Sequence, residues 1–262
     1  MICNYFSIIN FKYYYLFMKK LLNKLIMPGL VVALVFSAFI FLTGGDGALM
    51  HAINNHRHLK VPFLGHASGT LNFSMNKIEN LKDFIKNLVE DKHNIEYVDV
   101  TSIKVTLMKK GEPIDLGQAV NEVVIGTSIM GYHGFSVTSQ DKALDNLEIY
   151  GCGVCIATEF GSTAYNFNLG CPVLPIGSGL WAICGIICNR FLEDIVVAQP
   201  IEIKNVSDRG PISIFLDGRD REIKLDKGDT LLLEKGGSVQ IAFTNKEEFM
   251  RRRIEIASRY RK

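Results

Sequence analysis

Thr43-Gly44-Gly45-Asp46-Gly47 is the stretch best suited to chemistry. Its closely spaced glycines let the backbone turn sharply and come close to a ligand. Ala48-Leu49-Met50 follow and open a helix, and consecutive N–H groups at such an entry bind phosphate. Asp46 is the loop's one ionisable side chain. A carboxylate beside a phosphate loop either holds Mg²⁺ or accepts a proton from a hydroxyl that attacks phosphorus. An ordinary strand-to-helix turn capped by Asp fits the same residues.

Two further stretches carry candidate groups. Asn121-Glu122 interrupts an apolar run over residues 119–125. Burying such a pair costs free energy unless it is paired or binds something; an edge strand with both side chains in water is the other reading. Thr158-Glu159-Phe160-Gly161-Ser162-Thr163-Ala164-Tyr165 places small hydroxyl residues behind a glycine. It offers backbone groups and hydroxyls to a nucleotide, or it is a turn with a capping residue.

The surrounding pattern must position these groups. Residues 36–43 read as a buried parallel strand delivering the glycine loop, and residues 49–55 continue as a short helix. Residues 60–65 are the next strand, running into a small-residue loop, His66-Ala67-Ser68-Gly69-Thr70. Two strand–loop–helix units suggest a doubly wound sheet with ligand at the strand C-termini. Asn76 and Glu79 form a capping box ahead of a helical stripe of Ile78, Leu81, Phe84, Ile85, Leu88 and Val89. From Tyr97 the period changes to two, and Lys109-Lys110-Gly111 closes a hairpin. Strands follow at 119–125, 147–150, 154–157, 201–206, 212–216, 222–225, 231–233 and 240–243. A basic helix over 246–262 packs on the first lobe, with Arg251, Arg252 and Arg253 on a solvated face.

The chain has 262 residues, enough for two lobes. Lys+Arg 29 against Asp+Glu 27 gives no sign of a nucleic-acid surface. Six cysteines are too few and too irregular for a disulfide framework, which points to a reducing compartment. Cys152 and Cys155 fall on opposite faces of a strand and read as buried thiols rather than zinc ligands. His51, His56 and His58 do not share one face and read as surface or capping groups. Residues 12–24 are aromatic and basic, and residues 25–45 carry no charge. The length fits a membrane segment, but Pro28-Gly29 and Gly44-Gly45 break the run, so a buried core segment is expected.

Gly44-Gly45-Asp46-Gly47, Asn121-Glu122 and Gly161-Ser162-Thr163-Ala164-Tyr165, in this order and at these intervals, resemble the bacterial NAD kinases. The resemblance covers most of the chain from about residue 36. It includes residues 61–76, Gly170-Cys171-Pro172 and Phe215-Leu216-Asp217-Gly218. The first motif is shared with lipid kinases and phosphofructokinases; the Gly-Ser-Thr-Ala-Tyr motif is the specific one.

The resemblance implies an α/β N-terminal lobe with a phosphate loop (1–96), a mainly antiparallel β lobe (97–243) and a C-terminal helix returning to the first lobe (244–262). It implies transfer of the γ-phosphoryl of ATP, or polyphosphate, to the adenosine-ribose 2′-hydroxyl of NAD, with Mg²⁺ bridging the phosphates. Asp46 would be the base, and Gly44, Gly45 and Gly47 would contact donor phosphates. Asn121, Glu122, Thr158, Ser162, Thr163, Ala164, Tyr165 and Asn168 would hold the dinucleotide. No metal site built by the protein alone is implied. The implied assembly is a cytoplasmic homodimer or homotetramer, without nucleic acid or membrane. The chain departs from the family at Cys152, Ala67, Asn72 and Glu159, and near 188–194 only Arg190 remains of an Arg-rich segment. A catalytically weak nucleotide-binding homologue and a lipid kinase of the same superfamily are the alternatives.

Overall fold

Residues 39–42 are apolar without alternation, because both faces of the strand they form are covered. Ile40 and Leu42 pack with Leu49, Ala52 and Ile53 of one helix, while Phe39, Phe41 and Leu64 pack with Phe84 and Ile85 of another. A parallel strand clothed on two sides needs such a run. The computed structural model describes residues 34–35, 39–68, 72–89, 94–127, 131–140, 144–188 and 195–260. The aromatic and basic stretch 12–24, most of 25–38, residues 69–71 of the second loop, and Arg190 lie outside the described residues.

The first part of the chain comprises β1 (Leu34–Val35), β2 (Ile40–Gly44), α1 (Asp46–His56), β3 (Phe63–Ala67) and α2 (Leu81–Val89). β2 and β3 pair in parallel, from Ile40↔Phe63 to Gly44↔Ala67, so the glycine loop leaves the strand at its C-terminal edge. Asn76 does not cap α2. It is buried, donating to the carbonyls of Gly65 and Ala242 (both 3.0 Å). The cap is Asn80, whose Oδ1 accepts from Asp83 N at 3.1 Å, with Asp83 accepting in return from Asn80 Nδ2 at 2.6 Å. Tertiary pairing claims Asn76, so the cap falls to Asn80, which the sequence reading did not name.

The second part is antiparallel: β4 (Glu96–Lys109), β5 (Glu112–Ala119), β6 (Glu122–Gly126), β7 (His133–Ser139), β8 (Leu147–Ala157), then a short helix α3 (Tyr165–Asn168). It continues with β9 (Trp181–Cys188), β10 (Ile195–Val197), β11 (Ile201–Asn205), β12 (Ile212–Leu216), β13 (Arg219–Leu225) and β14 (Thr230–Phe243), and ends in α4 (Lys246–Tyr260). The β4–β5 turn has Lys110 and Gly111 at positive φ (52° and 89°), the two-residue hairpin that right-twisted strands favour.

Three expectations change here. Residues 119–125 are not one strand: β5 ends at Ala119, and the chain bends at Val120 and Asn121 before β6. Residues 147–150 and 154–157 belong to a single strand, β8, and residues 231–233 and 240–243 both lie on β14. β4 and β14 pair along most of their length, with a shift between Lys235 and Ser238. Ile103, Val105, Leu107, Leu231 and Leu233 feed the core of the β part. Val98, Val100, Val239, Ile241 and Phe243 feed the core beneath α1. Ile241 also pairs in parallel with Phe63, so β14 links the two parts through backbone hydrogen bonds.

α4 packs back on the first core, with Phe249 stacked on Phe243 at a centroid distance of 3.9 Å. Its arginines do not form a solvated face: Arg251 is exposed, but Arg252 and Arg253 are buried. The triplet spans 200° of helix, so all of it cannot face water once Phe249 is inside. Cys152 and Cys155 are buried, as expected, and Cys171 and Cys184 are buried beside Cys155, with their Cα atoms 6.3 Å apart. No helix among the described residues is long and apolar enough to cross a membrane.

Candidate functional site

Asp46 is the first residue of α1, where the helix dipole favours a carboxylate. Its side chain turns to the second loop: Oδ2 accepts from Phe73 N at 2.8 Å and Oδ1 from Ser74 N at 2.9 Å. Burial pushes its carboxyl above the usual range, opposed by those N–H groups and by the charges of Arg253 and Arg252. A carboxylate that is partly desolvated and held from two sides is a stronger base, and its direction is fixed.

The glycines shape the approach. A Cβ on Gly44 would stand 2.6 Å from Ala48 Cβ, while Gly47 has open space around it. Gly44 O accepts from Ser68 N at 3.0 Å, joining the first loop to the second. Asn76 accepts from Thr244 N at 2.9 Å, and Arg252 Nη2 donates to Met75 O, so the second loop is tied to the start of α4 and to α4 itself. Phe73 then meets Phe167 edge-on, 5.7 Å between centroids, which brings α3 against the loop that holds Asp46.

Asn121 and Glu122 are set by a residue to which the sequence reading gave no role. Asp217, at the β12–β13 turn, accepts from Asn121 N at 2.7 Å and from Val120 N at 2.9 Å. Glu122 is buried rather than in water. Burial, then the charge of Asp217, pushes its carboxyl up to about 8, opposed by a hydrogen bond from Tyr165 N. Its Oε2 is buried without a hydrogen-bond partner, so the group is poised to be a neutral acid that can donate as well as accept.

The 158–165 segment is sewn to the same bend. Thr158 N donates to Asn121 O at 2.9 Å, and Thr158 Oγ1 donates to Val120 O at 2.7 Å. A Cβ on Gly161 would sit 2.0 Å from Asn121 O. Ser162 and Thr163 are buried, and their hydroxyls are engaged inside the protein. Ser162 Oγ donates to Glu159 O and accepts from Leu174 N (2.7 and 2.9 Å); Thr163 Oγ1 accepts from Arg253 Nη1 at 3.1 Å. Ala164 is half-buried, and Tyr165 and Asn168 are exposed at the rim. Asn166, which the sequence reading passed over, is fully buried and donates to Ser162 O and Pro172 O.

Arg253 is a further residue missed. Its guanidinium donates to Glu159 O, Phe160 O and Thr163 Oγ1 and lies between the rings of Phe160 and Phe249. Burial lowers it to about 10, against the pull of Asp46 and Glu159. The Glu159 carboxylate is turned elsewhere, accepting from Gly179 N at 2.8 Å and Ser178 Oγ at 3.2 Å. A charge run such as 251–253 reads as surface, so no sequence signal marked it.

The structure thus brings Asp46, the 120–122 bend, the 158–165 segment and α4 into one connected network. No group of His, Cys, Asp or Glu that could hold a metal ion is formed among the described residues.

No protein-family model matches the chain. It is 34% identical over 190 residues to the NAD kinase of Rickettsia akari, covering 68% of this chain and 69% of that one. It is 30% identical over 227 residues to that of Rickettsia bellii, covering 82% and 83%. Against the NAD kinase of Rickettsia canadensis, 30% identical over 152 residues, the match spans 57% of the relative's length. Its fold is similar to that of yeast NADH kinase complexed with NADH (TM-score 0.69, 20% identity, 83% of this chain and 64% of that one). It is also similar to that of an NAD kinase from Archaeoglobus fulgidus in complex with ATP (TM-score 0.63, 21% identity, 84% and 82%). With those motifs joined in one network and a relative at 34% identity over two thirds of both chains, the protein belongs to the NAD kinase family.

Proposed function

We propose that this protein transfers the γ-phosphoryl group of ATP to the adenosine-ribose 2′-hydroxyl of NAD, giving NADP. The observation that carries the reading is Asp46. It is a partly desolvated carboxylate at a helix N-terminus behind a glycine turn, oriented by Phe73 N and Ser74 N. In this role Asp46 accepts the hydroxyl proton as the oxygen attacks phosphorus. Gly44, Gly45 and Gly47 let the donor phosphates approach the helix entry. Asn121 and Glu122 hold the adenosine end of NAD, with Thr158 setting their bend from below. Ala164, Tyr165 and Asn168 supply the accessible wall, while Ser162 and Thr163 act by holding that wall in place.

Mg²⁺ fits this site as a passenger on the donor's phosphates. Each Asp46 oxygen already accepts a backbone N–H, and no protein-built cage is present among the described residues. Such an ion takes phosphate and water ligands, with Asp46 the loop's carboxylate. When bound, it neutralises charge on the transferred group. Neither the lipid-kinase reading nor a binding-only homologue is favoured by the relatives. The reading implies a cytoplasmic enzyme acting as a homodimer or homotetramer, for which exposed Ile187 and Val196 on the β9–β10 pair offer contact surface.

Purified protein with NAD, ATP and Mg²⁺ should form NADP, and Asp46→Asn should lower kcat by about 10²-fold or more while NAD still binds. Saturable NAD binding without NADP would support the weak homologue, and phosphorylation of diacylglycerol the lipid kinase.

A further inference from the structure

Two hydrogen bonds from the C-terminal helix region grip the same short stretch of the second loop. Thr244 N, just before α4, donates to Asn76 Oδ1 at 2.9 Å, and Arg252 Nη2, on α4 itself, donates to Met75 O. Phe249, one turn before Arg252, stacks on Phe243 and sets the rotation of the helix. Met75 directly follows Phe73 and Ser74, whose N–H groups hold the two oxygens of Asp46. One main-chain segment, 73–75, therefore joins Arg252 to Asp46. Arg252 is buried, and no ion pair among the described residues involves it. Its Nε is buried without a hydrogen-bond partner.

A carbonyl dipole does not neutralise a guanidinium, so this charge persists where water screens it little. Two carboxylates feel it: Glu248, exposed on the same helix, and Asp46. Asp46 in turn feels two cations, Arg253 and Arg252, both from α4. Arg253 spends its donors on Glu159 O, Phe160 O and Thr163 Oγ1, with the Glu159 charge also acting on it. Arg252 is the one whose bond lies beside Ser74. A general base must be ionised before it can take a proton, and burial works against that at Asp46. A fixed cation offsets the burial, and a tethered loop keeps the carboxylate aimed. We infer that Arg252 is a positioning residue for the reaction: from α4 it holds residues 73–75 around Asp46 and keeps Asp46 in its ionised, proton-accepting form. This rests on the kinase reading above for its consequence in turnover, though not for the effect on Asp46.

Carbon-13 NMR of protein labelled at its aspartate carboxyls reads Asp46 without turnover, the signal being assigned by its loss in Asp46→Asn. Arg252→Gln should raise the midpoint of that titration by about half a pH unit or more. The acid limb of kcat/KM for NAD, at saturating ATP, should move up with it, since both report the same carboxyl. Arg252→Lys keeps the charge but not the planar fork. Its midpoint should stay within about 0.2 pH unit of the original, while kcat falls about tenfold from a loosened loop and both KM values hold within about twofold. This variant carries the test by itself if Arg252→Gln does not fold. An arginine that merely supports the fold predicts an even loss of activity at every pH, with the Asp46 midpoint unmoved in Arg252→Gln; that result overturns the proposal. So does full kcat, or a raised midpoint, in Arg252→Lys. If the unmodified protein forms no NADP but its Asp46 titration still responds to Arg252→Gln, the kinase reading fails and the hold of Arg252 on Asp46 stands.

Discussion

Arg253 Nη2 donates to the carbonyl oxygen of Glu159 at 2.7 Å, joining the last helix to the turn before Gly161-Ser162-Thr163. The same guanidinium reaches Phe160 O and Thr163 Oγ1. Removing it leaves buried acceptors without donors, so Arg253→Ala should cost about 3 kcal/mol or more in urea unfolding. Arg253→Lys should recover only part of this, because one ammonium cannot span the same acceptors. Arg251→Ala, on an exposed neighbour, should change stability by less than about 0.5 kcal/mol.

Glu122 makes stability depend on pH. Its folded carboxyl is pushed up to about 8 from 4.5, so between those values the folded state binds more protons than the unfolded one. By linkage, stability falls as pH rises through this window and levels off above it. Glu122→Gln cannot lose that proton. Its melting temperature should exceed that of the unmodified protein by a margin that grows from pH 5 to pH 8. Parallel melting curves across that range would show that Glu122 is ionised in the fold.

Gly161 leaves no room for a side chain: a Cβ would meet Asn121 O, C and Cα at 2.0, 2.3 and 2.4 Å. These are backbone atoms and cannot rotate away. Gly161→Ala should separate the 158–165 segment from the 120–122 bend and weaken NAD binding about tenfold or more, or prevent folding. Wild-type affinity and stability in this variant would show that the contact is not needed.

Asp217→Asn should loosen the bend rather than the reaction. The amide keeps one acceptor oxygen where the carboxylate used two, a loss of roughly 1–3 kcal/mol. KM for NAD should rise about tenfold while the NADP-forming step changes much less. A fall in kcat with KM unchanged would place Asp217 at the chemistry instead.

The two-part α/β and β-rich architecture was legible because its signals are local. Unalternating apolar residues 39–42 followed by glycines, the period-two run from Tyr97, and the Lys109-Lys110-Gly111 turn each follow from backbone geometry over a few residues. Strand extents were less legible. A strand that passes from one core to another, as β14 does through Gly236-Gly237, looks in sequence like two strands and a turn. Asn76 shows the same limit at a helix start. Its spacing to Glu79 fits a cap, but the Gly65 and Ala242 carbonyls lie far off in sequence and take its amide.

The sequence by itself determined which groups could do the chemistry: Asp46 behind its glycines, Asn121-Glu122 in an apolar setting, and the Gly161–Tyr165 motif by resemblance. Only the tertiary structure decided how each is used. Ser162 and Thr163 turn inward to Glu159, Leu174 and Arg253, Asn166 is buried where Asn168 is exposed, and Asp217 and Arg253 hold the parts together. The physical reason is that hydrogen bonds between residues about 90 positions apart leave no periodicity to read. A buried arginine and a surface one are the same letter until the helix that carries them has found its neighbour.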